Sequence, residues 1–457
     1  MKLYSTLSGT KDEFQPQGDV VKMYVCGVTP YSDAHVGHAM SYVVFDVLRR
    51  YLEYIGFNVQ HVQNVTDVDD KIIQRGKQRG VDPLKLAQEF TDEFLEDMDA
   101  LNVQRAHQYP RATQEIPDIL KIIQALVDKG CAYPIDGDVY FRVTCDEDYG
   151  KLGHRTLEGM QAGARIEPDP RKEHPMDFAL WKAAKEGEPS WESPWGPGRP
   201  GWHIECTAMS LAYLGETLDI HGGGHDLVFP HHENEIAQSE AYTGIKPFAR
   251  WWVHNGLLQL GETKMSKSIG NLITIRDALA TCSADALRLF FLSSHYRGPL
   301  AYGEDALAAQ ERGADRLRRA YHTNDTSNAP SDLDIGAYKT RFSEAMDDDL
   351  NTPQAVAVLF DMVRDINRAR EDGQTTADAR SLLGELGGVL GLSLTNPTHE
   401  GATALEPLID LLLETRTGLR EARQFELADR IRQRLTELGI ALEDTPRGTE
   451  WHFTGAS

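Results

Sequence analysis

The sequence predicts an α/β fold. A parallel-sheet nucleotide-binding domain is broken by an insertion, and an all-α region and a small C-terminal domain follow. Three observations carry this. KMYVC (22–26) and FNVQHVQNV (57–65) read as strands on either side of an amphipathic segment, the strand–loop–helix–strand order of a parallel sheet. Residues 130–199 are irregular and rich in Pro and Gly. After Gly270 the pattern becomes almost wholly helical.

The elements justify themselves in order. KMYVC alternates apolar and polar residues, as a strand leaving a core does, and the turn-rich loop GVTPYSDAHVGH follows it. In the next segment Met40, Val43, Val44, Val47, Leu48, Tyr51, Leu52 and Ile55 recur at helical spacing, with Gly56 where a C-terminal cap belongs. Helix is expected from Pro83 to about Lys129. The insertion then has one clear strand, GDVYFRV, and ends in SWESPWGPGRPGW. The sheet is expected to resume with IECTAM, LDIHGG and WWVHNGLL. Beyond it come helices over ALRLFFLSS, ALAAQERGADRLRRAY and 338–390, then a last helix and a strand-like tail, WHF. No internal repeat is present.

At 457 residues, with 41% hydrophobic and 26% charged residues, the chain is an ordinary globular one with room for several cores. It has no run of about 18 apolar residues and no apolar leader-like stretch at its start, so a cytoplasmic protein without a membrane span is expected. The five cysteines are scattered and never spaced CxxC, which favours thiols or metal ligands over a disulfide scaffold. A net charge of −23 argues against generic nucleic-acid binding and confines any such contact to local basic patches.

The densest chemistry lies between Gly201 and Glu235, which hold one cysteine and five histidines around a triple glycine. His231 and Glu235 are four apart and share a helix face. With Cys206 they make a sulfur, a nitrogen and an oxygen donor, a mixture suited to zinc, but a fourth ligand is missing. A lone cysteine is otherwise most often a buried thiol.

Two further motifs suit phosphate chemistry. His35-Val36-Gly37-His38 lies where a helix begins after a strand, and its glycine lets a ligand approach helix-end N–H groups while imidazoles meet phosphoryl oxygens. Lys264-Met265-Ser266-Lys267-Ser268 lies between Gly261 and Gly270, where two lysines on a hinged loop could reach a triphosphate. Taken alone, the second motif fits an exposed polar loop equally well.

HxGH followed by KMSKS about 225 residues later resembles the class I aminoacyl-tRNA synthetases. CGVTPYSDAHVGH, NVTDVDDK, DFALWK, SPWGPGRPGWHIECTAMS, PHHENEIAQSEA and KMSKSIGN, in this order and over the full length, resemble the cysteinyl-tRNA synthetase family in particular. The resemblance implies a Rossmann-like catalytic domain in two halves (1–115 and 201–275) around a connective insertion (116–200). It also implies a helical stem-contact region (276–325), a helical-bundle anticodon-binding domain (326–395) and a small tRNA-recognition domain (396–457).

It supplies the missing ligand too. One zinc per chain is expected on Cys26, Cys206, His231 and Glu235, selecting a substrate thiol by a bond that serine cannot match, without an editing domain. His35, His38, Lys264 and Lys267 are the expected catalytic groups. Gly37, His38 and Lys267 are expected against ATP, which acts with magnesium. Thr66 and Trp202 are implied near the bound amino acid. His221 and Asp226, flanking the triple glycine, suit the substrate's carboxylate and amine, or else sheet-end turn chemistry. His225, His232 and Glu233 have no assigned role.

Asp285-Ala286-Leu287-Arg288 resembles the start of the helical anticodon-binding region of class I synthetases, although by itself it is only an amphipathic helix. Arg416, Arg420, Arg423, Arg430 and Arg434 fall near one face of the last helix, with Trp451 and Phe453 after them, a combination suited to phosphates and base stacking. A solvated face with Glu–Arg pairs would look the same. The expected partners are tRNA(Cys), L-cysteine and ATP, and the expected state is a monomer. The cysteine ligase of mycothiol biosynthesis, which resembles the same catalytic domain but joins cysteine to an amino sugar, is the alternative. It lacks the last small domain, so the tail through WHF favours tRNA.

Overall fold

The structure, a computed structural model, describes the chain apart from residues 158, 160–168, 261–262, 265–271, 326–328, 396–401, 439, 446–447 and 454–457. A hairpin of β1 (Lys2–Ser5) and β2 (Thr10–Glu13) leads into β3 (Val20–Val28). Helix α1 (Val36–Tyr54) connects β3 to β4 (Asn58–Val65), and α2 (Asp70–Arg79), α3 (Pro83–Ala100) and α4 (Ile116–Asp128) follow.

The insertion folds on an antiparallel sheet of β5 (Ala132–Ile135), β6 (Asp138–Phe141), β7 (Phe178–Ala183) and β8 (Gly198–Pro200). Its own core includes Ile119, Ile123, Phe141 and Trp181. Cys131 and Cys145 are joined there as a disulfide, where free thiols or metal ligands were expected. The β5–β6 pairing explains this. Ala132 pairs with Phe141, and Arg142 N–H donates to the Cys131 carbonyl, so the residues just outside the hairpin meet.

The chain then returns through α5 (Trp202–Leu214), β9 (Leu218–Gly224), α6 (Glu233–Thr243) and β10 (Ala249–Asn255). IECTAM, expected as a strand, lies inside α5. Its apolar residues continue into Leu211 and Leu214 at helical spacing, and the helix is wedged between two cores, so nearly every side is buried and the alternation misleads. The central sheet has the order β10-β9-β3-β4 and is parallel throughout. Chain order reverses between β3 and β9, and the crevice at the carboxyl ends of such strands is where ligands bind.

Beyond β10, the strands β11 (Leu258–Leu260) and β12 (Thr263–Lys264) pair with each other, and β11 pairs with β13 (Leu300–Tyr302). Helices α7 (Ile275–Leu279), α8 (Ala284–Leu292) and α9 (Glu304–His322) lead to a bundle of α10 (Ile335–Asp347), α11 (Thr352–Glu371) and α12 (Ala377–Val389). One continuous apolar core runs from β3 and α1 through α8 into this bundle. The single last helix expected is instead two, α13 (Ala402–Glu421) and α14 (Phe425–Glu437). The chain turns between them at Arg423, whose φ is +58°, and a hairpin of β14 (Ile440–Thr445) and β15 (Gly448–Phe453) follows.

Phe45 of α1 packs under β9, where a Cβ on Gly222 would lie 2.2 Å from its ring. Phe45→Ala should cost about 3–5 kcal/mol, read as a fall in the urea midpoint of the sheet domain by tryptophan fluorescence. A midpoint equal to that of the parent chain would contradict this packing.

Candidate active site

Four donors converge at the carboxyl edge of the sheet. Cys26 comes from the end of β3, Cys206 from the second turn of α5, and His231 and Glu235 from the entry to α6. All four are buried. The sulfurs of Cys26 and Cys206 are 3.8 Å apart, and Cys206 Sγ lies 3.5 Å from His231 Nε2. Glu235 Oε1 is 3.0 Å from His231 Nε2 and 3.7 Å from Cys26 Sγ. Tetrahedral bonds of about 2.3 Å to sulfur and about 2.0 Å to nitrogen would set two sulfurs roughly 3.8 Å apart, and sulfur and nitrogen roughly 3.5 Å apart. The donor set therefore fits a tetrahedral zinc ion both in chemistry and in spacing.

Three of the four donors have an imidazole behind them. His203 Nδ1 and His231 Nδ1 are 2.9 Å apart and share a hydrogen bond. His221 Nε2 meets Glu235 Oε2 at 2.8 Å, beneath the Trp252 ring. His232 Nε2 lies 3.2 Å from Cys26 Sγ, and its Nδ1 reaches His254 Nε2 at 2.7 Å. The Thr6 hydroxyl closes that chain at His254 Nδ1, 2.7 Å away. Such outer partners fix ring orientation and the basicity of ligands.

His221 is thus spent on Glu235 and does not line the cavity, contrary to the expectation that it meets the substrate. It lies in the middle of β9 and is fully buried. His232, left without a role, could have been noticed as the second of two adjacent histidines beside a carboxylate at i+3. Its ligand atom lies, with those of Cys26, His231 and Glu235, in a group all within 4.8 Å. His203 and His254 gave no sequence signal beyond the abundance of histidine.

Charge in the cluster follows from burial and contact. Burial pushes the Cys26 thiol well up, and the neighbouring Cys206 adds to that. Burial also opposes ionisation of Cys206, but the hydrogen bond from Cys26 and the charge of His231 bring it down to about 6. Glu235 is likewise penalised by burial, yet His221 and His231 hold it at about 2. Burial disfavours the His231 cation, and Glu235 and Cys206 outweigh it, raising this histidine to about 10. Burial keeps His203, His232 and His254 neutral. Burial and these contacts thus favour ionisation at Cys206, His231 and Glu235 and oppose it at Cys26. A divalent cation would displace protons from that set.

A cavity of about 330 Å³ opens beside Cys26. His35, Gly37, His38, Trp202 and Asp226 are among the residues that line it. Trp202 stacks on His231 with centroids 4.1 Å apart. Thr66 is buried, accepts from Asn64 Nδ2 at 3.2 Å and does not line the cavity.

His35 caps α1. Its Nδ1 accepts from His38 N–H, and His38 Nδ1 accepts from His35 N–H. The two rings stack at 3.7 Å. A Cβ on Gly37 would sit 3.0 Å from His35 Nδ1, so the glycine keeps this turn tight. Lys264 ends β12, its backbone paired with Gln259, and Lys267 lies outside the described residues. The chain beyond is pinned to the first motif: Val36 N–H donates to the Ile273 carbonyl at 3.0 Å, and His35 bridges Thr274.

The C-terminal arginines divide. Arg416, expected to face RNA, is 1% exposed and donates to Thr449 Oγ1 at 3.0 Å, because α13 turns that face onto the β14–β15 hairpin. Trp451 packs against the same small core, and its Nε1 donates to Asp410. Arg420 and Arg423 are exposed.

Residues 13–312 match the family described as tRNA synthetases class I (C) catalytic domain, and residues 341–395 match the DALR domain. Fold and site together define a class I aminoacyl-tRNA synthetase. Cysteine--tRNA ligase of Dehalococcoides mccartyi is 57% identical over 453 residues, 99% of either chain. That of Pelotomaculum thermopropionicum is 48% identical over 485 residues, all of both chains. The chain belongs to the cysteine--tRNA ligase family and is a ligase. The methionyl-tRNA synthetase of Mycobacterium tuberculosis in complex with methionyl-adenylate shares the fold, with a TM-score of 0.60 at 16% identity over 82% of this chain and 90% of that one. No helix among the described residues is long and apolar enough to cross a membrane.

Arg416→Met should raise amide exchange across residues 440–453 by removing the tie to Thr449, while Arg420→Ala leaves exchange there unchanged. Equal protection in both variants would contradict the buried role of Arg416.

Proposed function

We propose that the chain charges tRNA(Cys) with L-cysteine in two steps, using a zinc ion held by Cys26, Cys206, His231 and Glu235 to choose the amino acid. The observation that carries this reading is the tetrahedral spacing of two thiols, an imidazole and a carboxylate beside a cavity that Cys26 and the HxGH turn both line. Zinc, when bound, supplies a soft Lewis acid that lowers a thiol's pKa and prefers sulfur to a hydroxyl, which separates cysteine from serine.

The remaining chemistry belongs to side chains and backbone. The cysteine carboxylate attacks the α-phosphate of ATP, with magnesium assisting, and displaces pyrophosphate to give cysteinyl-adenylate. His35 and His38, stacked at the start of α1, present ring N–H groups to the phosphate oxygens as charge grows. Lys264, the last residue of β12, and Lys267 bring two cations to the triphosphate. Asp226 at the cavity lining meets the substrate ammonium, and Trp202 closes the side of the cavity nearest the donors.

In the second step the terminal ribose hydroxyl of tRNA attacks the activated carbonyl, and AMP leaves. No protein nucleophile is needed, because positioning and charge stabilisation lower both barriers. The DALR domain favours tRNA over an amino sugar as acceptor. The protein acts as a cytoplasmic monomer in this reading, with Arg420 and Arg423 as RNA contacts.

Purified protein should exchange labelled pyrophosphate into ATP with cysteine and not with serine. Cys206→Ser should lose cysteine-dependent exchange by roughly 100-fold or more while retaining ATP binding. Exchange driven equally by serine would contradict the thiol-selecting site.

A further inference from the structure

Arg288 is fully buried in the core that joins the sheet domain to the helical bundle. The sequence shows only an amphipathic helix here, and the structure has the guanidinium tie four segments together. Nη2 donates to Asp46 of α1 at 2.6 Å, and both Nε and Nη2 donate to the Leu390 carbonyl just past α12. Nη1 donates to the Leu101 carbonyl at the end of α3, at 3.0 Å.

The surroundings are built for this group. Gly391 has φ +70°, and a Cβ there would fall 1.9 Å from Arg288 Nη2, so only glycine leaves room. One turn earlier, Asp285 accepts the backbone N–H groups of Ser393 and Leu394 at 2.8 and 3.0 Å. Asp46 also accepts from Arg50 Nε at 2.8 Å and from Gln104 N–H at 2.8 Å. The second half of α1 is clamped to the bundle again by the Tyr51 hydroxyl on Asp347 and the Tyr54 hydroxyl on Glu385.

A buried ion pair adds little net stability over a hydrophobic replacement, so such a pair is better understood as fixing geometry. Here the fixed object is α1. His35 and His38 occupy its first turn, and Asp46 lies eight residues beyond His38, about 12 Å along the same rigid helix.

We propose that Arg288, held by Asp46 and Gly391, is a positioning residue that sets the HxGH turn against the helical bundle, so that an RNA held on the bundle delivers its 3′ end to the reacting carbonyl. This rests on the ligase reading above. It separates the two half-reactions, because activation uses only the sheet domain, whereas transfer needs the sheet domain and the bundle in register.

The test compares Arg288→Lys, which keeps the cation and loses the planar fork, and Gly391→Ala, which drives a methyl group against the guanidinium from the bundle side. In the full chain, cysteine-dependent pyrophosphate exchange should stay within about twofold of wild type in both variants. Single-turnover transfer from preformed adenylate to tRNA(Cys) should fall at least about tenfold, the loss expected when reacting groups are misplaced by an ångström or less. A parallel fall in exchange and transfer, or transfer unchanged in both variants, would overturn the proposal. If Arg288→Lys fails to fold by circular dichroism, Gly391→Ala alone decides between these outcomes. Wild-type protein that activates cysteine but never charges tRNA would overturn the ligase reading, and this proposal with it. Wild-type charging with no split in the variants would overturn the positioning role alone.

Discussion

Two sulfur atoms 3.8 Å apart, brought together from positions 180 residues apart, set the constraint that the rest of the site obeys. Polar and charged donors buried at this density are costly unless every one has a partner. The partners are found in depth: an imidazole stands behind Cys26, behind His231 and behind Glu235, and the Thr6 hydroxyl closes the longest of these chains. The parallel sheet makes the convergence possible. Adjacent β3 and β9 end at the same edge, one delivering Cys26 and the other His221, while α5 and α6 cover that edge and deliver the remaining donors.

The same edge faces two ways. Toward the sheet it presents thiols and imidazoles, and the cavity that Cys26 lines is lined as well by the stacked pair His35 and His38. The cavity thus joins donors suited to sulfur with a turn suited to phosphate. Helix α1 then extends this arrangement outward. It starts at the cavity and ends clamped to α10 and α12, within a core that is continuous from sheet to bundle. Burial of that core, with polar ties inside it, makes one body of the site and the helical region.

Much of this was legible in the sequence where the physics is local. The i,i+4 spacing of His231 and Glu235, the strand–loop–helix order around HxGH and the helical periodicity of α1 and the bundle depend only on near neighbours. The losses occur where burial on several sides erases periodicity. IECTAM read as a strand because α5 is enclosed by two cores, and the buried tie of Arg288 left no sign because nothing in its neighbourhood along the chain reveals Asp46, 242 residues away. Arg416 failed for a related reason: a face of arginines on one long helix became a buried tie once the chain broke at Arg423 and folded a hairpin back. The Cys131–Cys145 pairing depended on strand register, which spacing alone does not reveal. Cys26 entered only through resemblance, because a single thiol at a strand end carries no signal of its own.

The measurement that bears most directly on thiol selection is X-ray absorption at the zinc edge of the zinc-loaded protein, with and without amino acid. Two sulfur neighbours should be found in the free protein, from Cys26 and Cys206, rising to three with cysteine and staying at two with serine. A count that does not change when cysteine binds would contradict a metal that chooses the substrate through its sulfur.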